Sequence, residues 1–287
     1  MRTWIYSRLH EVDRIAATKD PFVLLRLATE RLATAQQEVT ELARLRRRVI
    51  QDLHSQGLSY AQIAKQAGLS RGRIHQIRHT GPAPEGAFLG TGAVTVVTPL
   101  RPDAASDRTL VTLDDLTTGK RLEDLARSFD LEVSSEHVGV NGEIDLNRPG
   151  LLVICGPRMS KPVRETYEKD PVLRWQRSPE GRWTLYDSRA DKTLRAGTDA
   201  DPSQSHDIGY LGRLPRPDGK GTVLLIAGVH PPGSIGVVHL LTTEIATLWG
   251  QVGDQPFSVV VGVDYDPDTH EPGNVELLTP LYRHEDL

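Results

Sequence analysis

A single cysteine in 287 residues rules out an intrachain disulfide framework, and Cys155 alone fits a reducing compartment. No stretch reaches the roughly 18 consecutive apolar residues of a membrane span, so no membrane partner is expected. The opening residues, MRTWIYSRLHEVDR, scatter charge where a signal peptide needs an apolar core. These absences lead to the expectation of a cytoplasmic protein. Charge is plentiful but uneven. Residues 1–80 carry 14 Lys+Arg against 7 Asp+Glu, whereas residues 81–287 carry 20 against 31. A basic part followed by an acidic one fits one module that meets phosphate and one that does not. At about 100–200 residues per domain, the length suits two domains.

Residues 57–79 read GLSYAQIAKQAGLSRGRIHQIRH, and a helix-turn-helix is expected over 58–79. Ala64 is small where two helices cross, and Gly68 stands at the turn, where a positive φ costs little. Ile63, Ala67, Leu69, Ile74 and Ile77 are the expected apolar contacts. Ser70 is placed to cap the second helix. Arg71, Arg73, His75, Gln76, Arg78 and His79 are left on or near its outer face, as a DNA-reading surface requires. The bland alternative is a small helical hairpin that binds nothing.

The segment from Leu42 to Arg78, with GLSYAQIA followed by GLSRGRIHQI, resembles the helix-turn-helix of sigma-factor region 4 and its actinobacterial relatives. The resemblance implies a major-groove reader of a −35-like or operator-type site, with double-stranded DNA as partner. Nothing in the chain resembles the other polymerase- and DNA-binding regions of a sigma factor, so a free-standing transcriptional regulator is expected. Arg71, His75 and Gln76 are the candidates for base edges, Arg73 and Arg78 for phosphates, with Ser70 and His79 beside them.

Upstream, Asp20-Pro21 is a helix start. Apolar residues then recur at spacings of three and four from Leu24 to Leu53. Two readings stay open: two helices packed on the motif, or one helix extended to form a homodimer. Arg44, Arg46, Arg47 and Arg48 either meet phosphates or form a solvated face. A Pro- and Gly-rich linker is expected over 81–92, after a helical domain at 1–80.

Residues 93–287 alternate strand and helix patterns. Strands are predicted at 93–99, 131–134, 151–155, 222–229, 257–263 and 275–280, and helices at 113–129, 163–170 and 234–251. A hairpin is expected at 174–187, and a polar loop from Arg189 to Asp207. The unbroken apolar runs at 151–155 and 223–227 fit central strands covered on both faces. The predicted fold is therefore a helical helix-turn-helix domain followed by a Rossmann-like three-layer α/β sandwich.

Ligands of such sheets sit beyond the carboxyl ends of the strands. Two glycine loops fall there, one with Gly156, Pro157, Arg158, Ser160 and Lys161, the other with His230, Gly233, Ser234 and Gly236. A strand, a glycine turn and a helix aim backbone N–H groups at one point. A small phosphorylated effector such as a nucleotide is expected; the alternative is ordinary βα turns. The second loop lacks the Lys-Ser/Thr of a P-loop. Cys155 lacks the correctly spaced arginine of a cysteine phosphatase. Ser205-His206-Asp207 are neighbours in sequence, which a triad does not favour. Asp264, Asp266, Asp268 and His270 lack the glycine and distal glutamate of a calcium loop. Trp175, Trp183 and Tyr186 either stack a base or pack on the sheet. No catalytic residue, metal or resident cofactor is expected. The function expected is a ligand-sensing regulator, with a DNA-targeted nucleotide-processing enzyme or a self-assembly module as alternatives.

Overall fold

The computed structural model describes residues 11–284 apart from 81, 104, 105 and 107. Residues 1–10 and 285–287 of the two expected domains, and Gly81 of the expected linker, lie outside the described residues. The chain divides into two compact units, Met1–Pro84 and Glu85–Leu287.

In the first unit a helical stretch at 11–16 precedes α1 (Pro21–Ser55), one continuous helix of 35 residues. Asp20 caps it, its carboxylate accepting from the backbone N–H of Phe22 and Val23. Two separate helices are therefore replaced by a single rod of about 52 Å at 1.5 Å per residue. Two short helices follow, α2 (Tyr60–Gln66) and α3 (Arg71–Thr80). Ile50 of α1, Ile63 and Ala64 of α2, and Ile74 and Ile77 of α3 form the core they share.

The second unit begins inside the expected linker. Pro84–Phe88 is a 3-10 turn, and Phe88 and Leu89 are buried in the core, because an aromatic-aliphatic pair gains more from burial than a solvated linker offers. Strand β1 (Ala93–Pro99) leads to a small ribbon, β2 (Arg101–Pro102) with β3 (Thr109–Leu110). Then come α4 (Leu113–Ser128), β4 (Glu132–Val138), β5 (Leu151–Ile154) and α5 (Lys161–Tyr167). Next are β6 (Leu173–Arg177), β7 (Trp183–Asp187), β8 (Lys192–Leu194) and the short α6 (Gly197–Ala200). The chain continues through β9 (His206–Pro215), β10 (Thr222–Gly228), α7 (Pro231–Val252), β11 (Phe257–Tyr265), β12 (Pro272–Leu277) and β13 (Tyr282–Arg283).

The main sheet runs β12-β11-β9-β10-β5-β1-β4, with β13 beside β11. Strands β10, β5, β1 and β4 are parallel, and β9, β11 and β12 are antiparallel. Strand periodicity sorts the core. Leu152, Ile154, Leu224 and Ile226 face α4 and α7, while Leu151, Val153, Val223 and Leu225 face α5 and the small β6-β7-β8 sheet. Both faces are thus covered, as the apolar runs predict: this is a mixed α/β fold with a parallel-containing sheet packed against helices.

Two expectations are corrected. The polar stretch from Arg189 to Asp207 is not one loop: it holds β8, α6 and the start of β9, a fully paired internal strand. Glycines hide that strand in the sequence. A Cβ at Gly209 would meet the Gly233 carbonyl and Val237, so α7 packs directly on bare backbone there. In the first unit, Ala67 and Leu69 are exposed rather than part of the core, because the turn at Gly68 carries them outward.

Candidate functional site

The parallel strands follow the chain outward from β1 to β4, then back across to β5 and on to β10. The winding direction reverses between β1 and β5, and a crevice opens beyond the carboxyl ends at such a point. A pocket of about 280 Å³ lies there, lined by Pro99 at the end of β1, Ile154 to Met159 from the end of β5 onward, and Gly228 to Pro231 from the end of β10 onward. The β6–β7 hairpin contributes Trp175, Arg177, Gly181, Arg182 and Trp183. Arg101, Asp115, Asp199 and Ser234 complete it.

Two of its four arginines are neutralised. Arg101 pairs with Asp115 at 3.4 Å, and Asp115 also accepts from the Thr112 hydroxyl at 2.7 Å. Arg182 pairs with Asp199 at 2.5 Å, and the same Asp199 oxygen meets His230 Nε2 at 3.1 Å. Arg158 and Arg177 have no carboxylate partner among the described residues; Arg177 donates to the Gly181 carbonyl and lies 4.7 Å over the Trp183 ring. The pocket is thus a cationic point in a part of the chain with 20 Lys+Arg against 31 Asp+Glu.

At the second glycine loop the geometry does not provide the expected backbone cradle. At the start of α7, Pro231 and Pro232 carry no N–H, and the N–H groups of His230 and Gly233 donate to Asp207 Oδ2 at 3.0 and 2.7 Å. A buried carboxylate of the chain itself occupies the positive end of the helix. Burial pushes the Asp207 carboxyl up to about 6, outweighing the downward pull of His230 and the backbone donors. Ser160 is equally occupied: its hydroxyl donates to the Gly142 carbonyl at 2.6 Å and caps α5 through the Val163 N–H. Lys161 is 73% exposed and pairs with Glu165.

The nine expected ligand residues therefore separate. Gly156, Pro157, Arg158, His230 and Ser234 line the pocket; Ser160, Lys161, Gly233 and Gly236 do not. Gly233 and Gly236 serve packing, since a Cβ on the first would meet the Ile208 carbonyl and one on the second the Val263 side chain at 2.6 Å. Missed in the sequence were Arg101, Asp115, Arg177, Arg182 and Asp199. The signal was the hairpin register, which pairs Arg177 with Trp183 and sets Trp175 on the same face as Arg177.

The remaining chemical candidates are absorbed by structure. Cys155 is buried, and desolvation followed by the Asp115 charge pushes its thiol up to about 12, away from the thiolate a nucleophile needs. His206 pairs with Asp264 at 2.9 Å, while its neighbour Asp207 faces α7. Asp266 closes its own turn through the N–H groups of Asp268 and Thr269, and His270 pairs with Asp114.

In the first unit, Ser59 and Gln62 form a reciprocal capping box that starts α2. Gly68 turns the chain at φ +68°, and the Ser70 hydroxyl accepts from the Arg73 N–H at 3.0 Å, starting α3. Ile74 and Ile77 of α3 point inward, both buried. Arg71, Arg73, His75, Gln76 and His79 are exposed on the other side. Arg73 donates to Gln76 at 2.6 Å, the His75 and His79 rings lie 4.3 Å apart, and Arg78 stacks 3.8 Å over Tyr60. A capped pair of helices, crossed over a small residue and bearing basic side chains outward, has the form of a groove reader. Residues 40–81 match the family Sigma-70, region 4.

This region 4 match takes in the end of α1, including Arg44 to Arg48, and all of α2 and α3. It suggests DNA binding by a helix-turn-helix of that type. Comparison of the chain with curated proteins and with solved structures gave no match. No helix among the described residues is long and apolar enough to cross a membrane.

Proposed function

We propose that the chain is a sequence-specific transcriptional regulator whose α/β unit senses a small phosphorylated ligand such as a nucleotide. The region 4-like helix-turn-helix supports DNA as the partner. Arg71, His75 and Gln76 read base edges, and Arg73, Arg78 and His79 hold phosphates beside the Ser70 cap. The observation that carries the ligand reading is the pair of uncompensated arginines, Arg158 and Arg177, at the reversal point of an acidic unit. A phosphoryl group brings about −1.5 to −2 charge, close to what two free guanidinium groups balance.

A homodimer is part of this reading. Leu25, Leu32 and Val39 recur every seven residues along α1, and Leu42 and Val49 repeat the interval; all five are exposed. Sustained seven-residue apolar spacing is the seam of a coiled coil, and a second copy would double the DNA contact. Ligand binding then acts by favouring one arrangement of the paired DNA heads, with the switch limited to the difference in ligand affinity between the two arrangements. Titration of phosphorylated metabolites into the full chain, with operator binding read in parallel, tests this. Occupancy without any change in DNA affinity refutes the sensor.

A second reading, a nucleotide-processing enzyme, is favoured by the 3.1 Å contact of His230 with buried Asp199, which orients an imidazole over the pocket as a general base requires. Mass-spectrometric detection of product from bound nucleotide separates it from the sensor, which releases its ligand unchanged.

A further inference from the structure

We propose that the pocket reads a nucleobase as well as a phosphoryl group, so that its ligand is a nucleoside phosphate rather than a sugar phosphate or inorganic anion. The inference rests on the ligand-sensing reading above and concerns the half of the ligand that Arg158 and Arg177 leave undefined.

Three residues that line this one pocket each carry a buried polar atom with no partner among the described residues. The Asp199 side chain is 6% exposed, and its Oδ1 receives both Arg182 and His230, yet its Oδ2 receives nothing. The indole Nε1 groups of Trp175 and Trp183 are likewise buried without an acceptor. Buried polar groups in native proteins are nearly always paired, so three exceptions around one cavity mark the places where a ligand completes the bonding. Their chemistry is complementary to a base edge, with one carboxylate oxygen seeking an N–H and two N–H groups seeking ring nitrogens or carbonyls.

The walls match a flat ring. Trp175 and Trp183 stand edge to face with centroids 6.2 Å apart, and the Arg177 guanidinium lies over Trp183. Aromatic and guanidinium planes stack bases of every kind. Placing Arg177 on Trp183 also sets a phosphate-binding cation beside the stacking surface, as a nucleotide with both parts needs. At about 280 Å³ the cavity stands near the lower end of small-molecule pockets, which suits a mononucleotide.

The test is calorimetric titration of the full chain with inorganic phosphate, ribose 5-phosphate, AMP, GMP, CMP and UMP. The expected result is that at least one nucleotide binds tenfold or more tightly than ribose 5-phosphate. Trp183→Phe, which keeps an aromatic face but deletes the N–H, should weaken that nucleotide about five- to tenfold, and by more than it weakens ribose 5-phosphate. Ribose 5-phosphate binding as tightly as every nucleotide overturns base recognition while leaving a phosphorylated ligand in place. Failure of all six to bind overturns both. A Trp183→Phe protein that binds the nucleotide at full strength refutes the indole contact, once circular dichroism shows it folded.

Discussion

Asp207→Asn isolates the carboxylate that sits under α7. Both amide donors at this helix end, His230 N–H and Gly233 N–H, go to Asp207 Oδ2, and the side chain is fully buried. Donors and the helix end favour the anion; desolvation opposes it and wins, leaving the carboxyl at about 6 against an ordinary 3.8. A gap of about 2 units corresponds to about 3 kcal/mol. The sign follows from proton uptake. Between pH 4 and pH 6 the native protein holds this proton more tightly than the unfolded chain, so stability is highest below the unfolded value and falls as pH rises through about 6. Asparagine keeps an acceptor oxygen for the two N–H groups and cannot ionise. Urea unfolding followed by the fluorescence of Trp175, Trp183 and Trp249, run on both proteins, cancels all other titrating groups. The stability of Asp207→Asn relative to the parent should rise by about 3 kcal/mol between pH 4 and pH 7.5. A difference that stays flat over that range refutes a buried carboxylate held up by desolvation at this helix end.

Other outcomes follow from the same geometry. Arg71→Ala should weaken operator binding and relax sequence preference, whereas Arg78→Ala should weaken all DNA alike and reduce the salt slope by about 1, read by gel shift at several salt concentrations. Ser70→Ala removes the acceptor for the Arg73 N–H and should cost the helical unit about 1 kcal/mol in thermal unfolding. Leu32→Asp with Val39→Asp should give a monomer in sedimentation velocity without loss of helix signal, since both side chains are exposed and outside the Ile50–Ile63–Ile74 core. Gly236→Ala drives a methyl against Val263 and should lower the melting temperature of the α/β unit by several degrees, in keeping with the roughly 1–3 kcal/mol of overpacking.

Where one physical demand dominated a segment, its residues spelled out the structure. Leu151 to Ile154 had to be a central strand because four consecutive apolar side chains need cover on both faces, and alternate members do reach opposite cores. The turn at Gly68 and the cap at Ser70 were legible because only a few residue types meet those backbone demands. Strand β9 was hidden because its glycines answer two demands at once. Gly209 serves a helix packed on it and Gly212 lies against the Tyr210 ring, so the apolar alternation that announces a strand is interrupted.

The glycine loops misled for a related reason, and it bears on how the pocket recognises anything. Glycine after a strand and before a helix is required both where a phosphate approaches the backbone and where the chain approaches itself, and local sequence does not distinguish the two. Here Gly233 packs against Ile208, and Asp207, remote in sequence from that loop, supplies the negative charge that the helix end attracts. With the amides at the start of α7 already satisfied from within, an anion near that helix end would be met by side chains. Those side chains come from the β6–β7 hairpin and from Arg158, on segments that the sheet positions but does not bury. Under the proposed ligand reading, an incoming phosphoryl group would compete with Asp199 for the Arg182 charge that holds the hairpin, and so alter the hairpin's attachment. A backbone cradle would bind phosphate without moving anything. Replacing Arg182 by Gln should therefore weaken the ligand and abolish any ligand-induced change in hydrogen-exchange protection of the β6–β7 hairpin amides, and retention of that change would place the switch elsewhere.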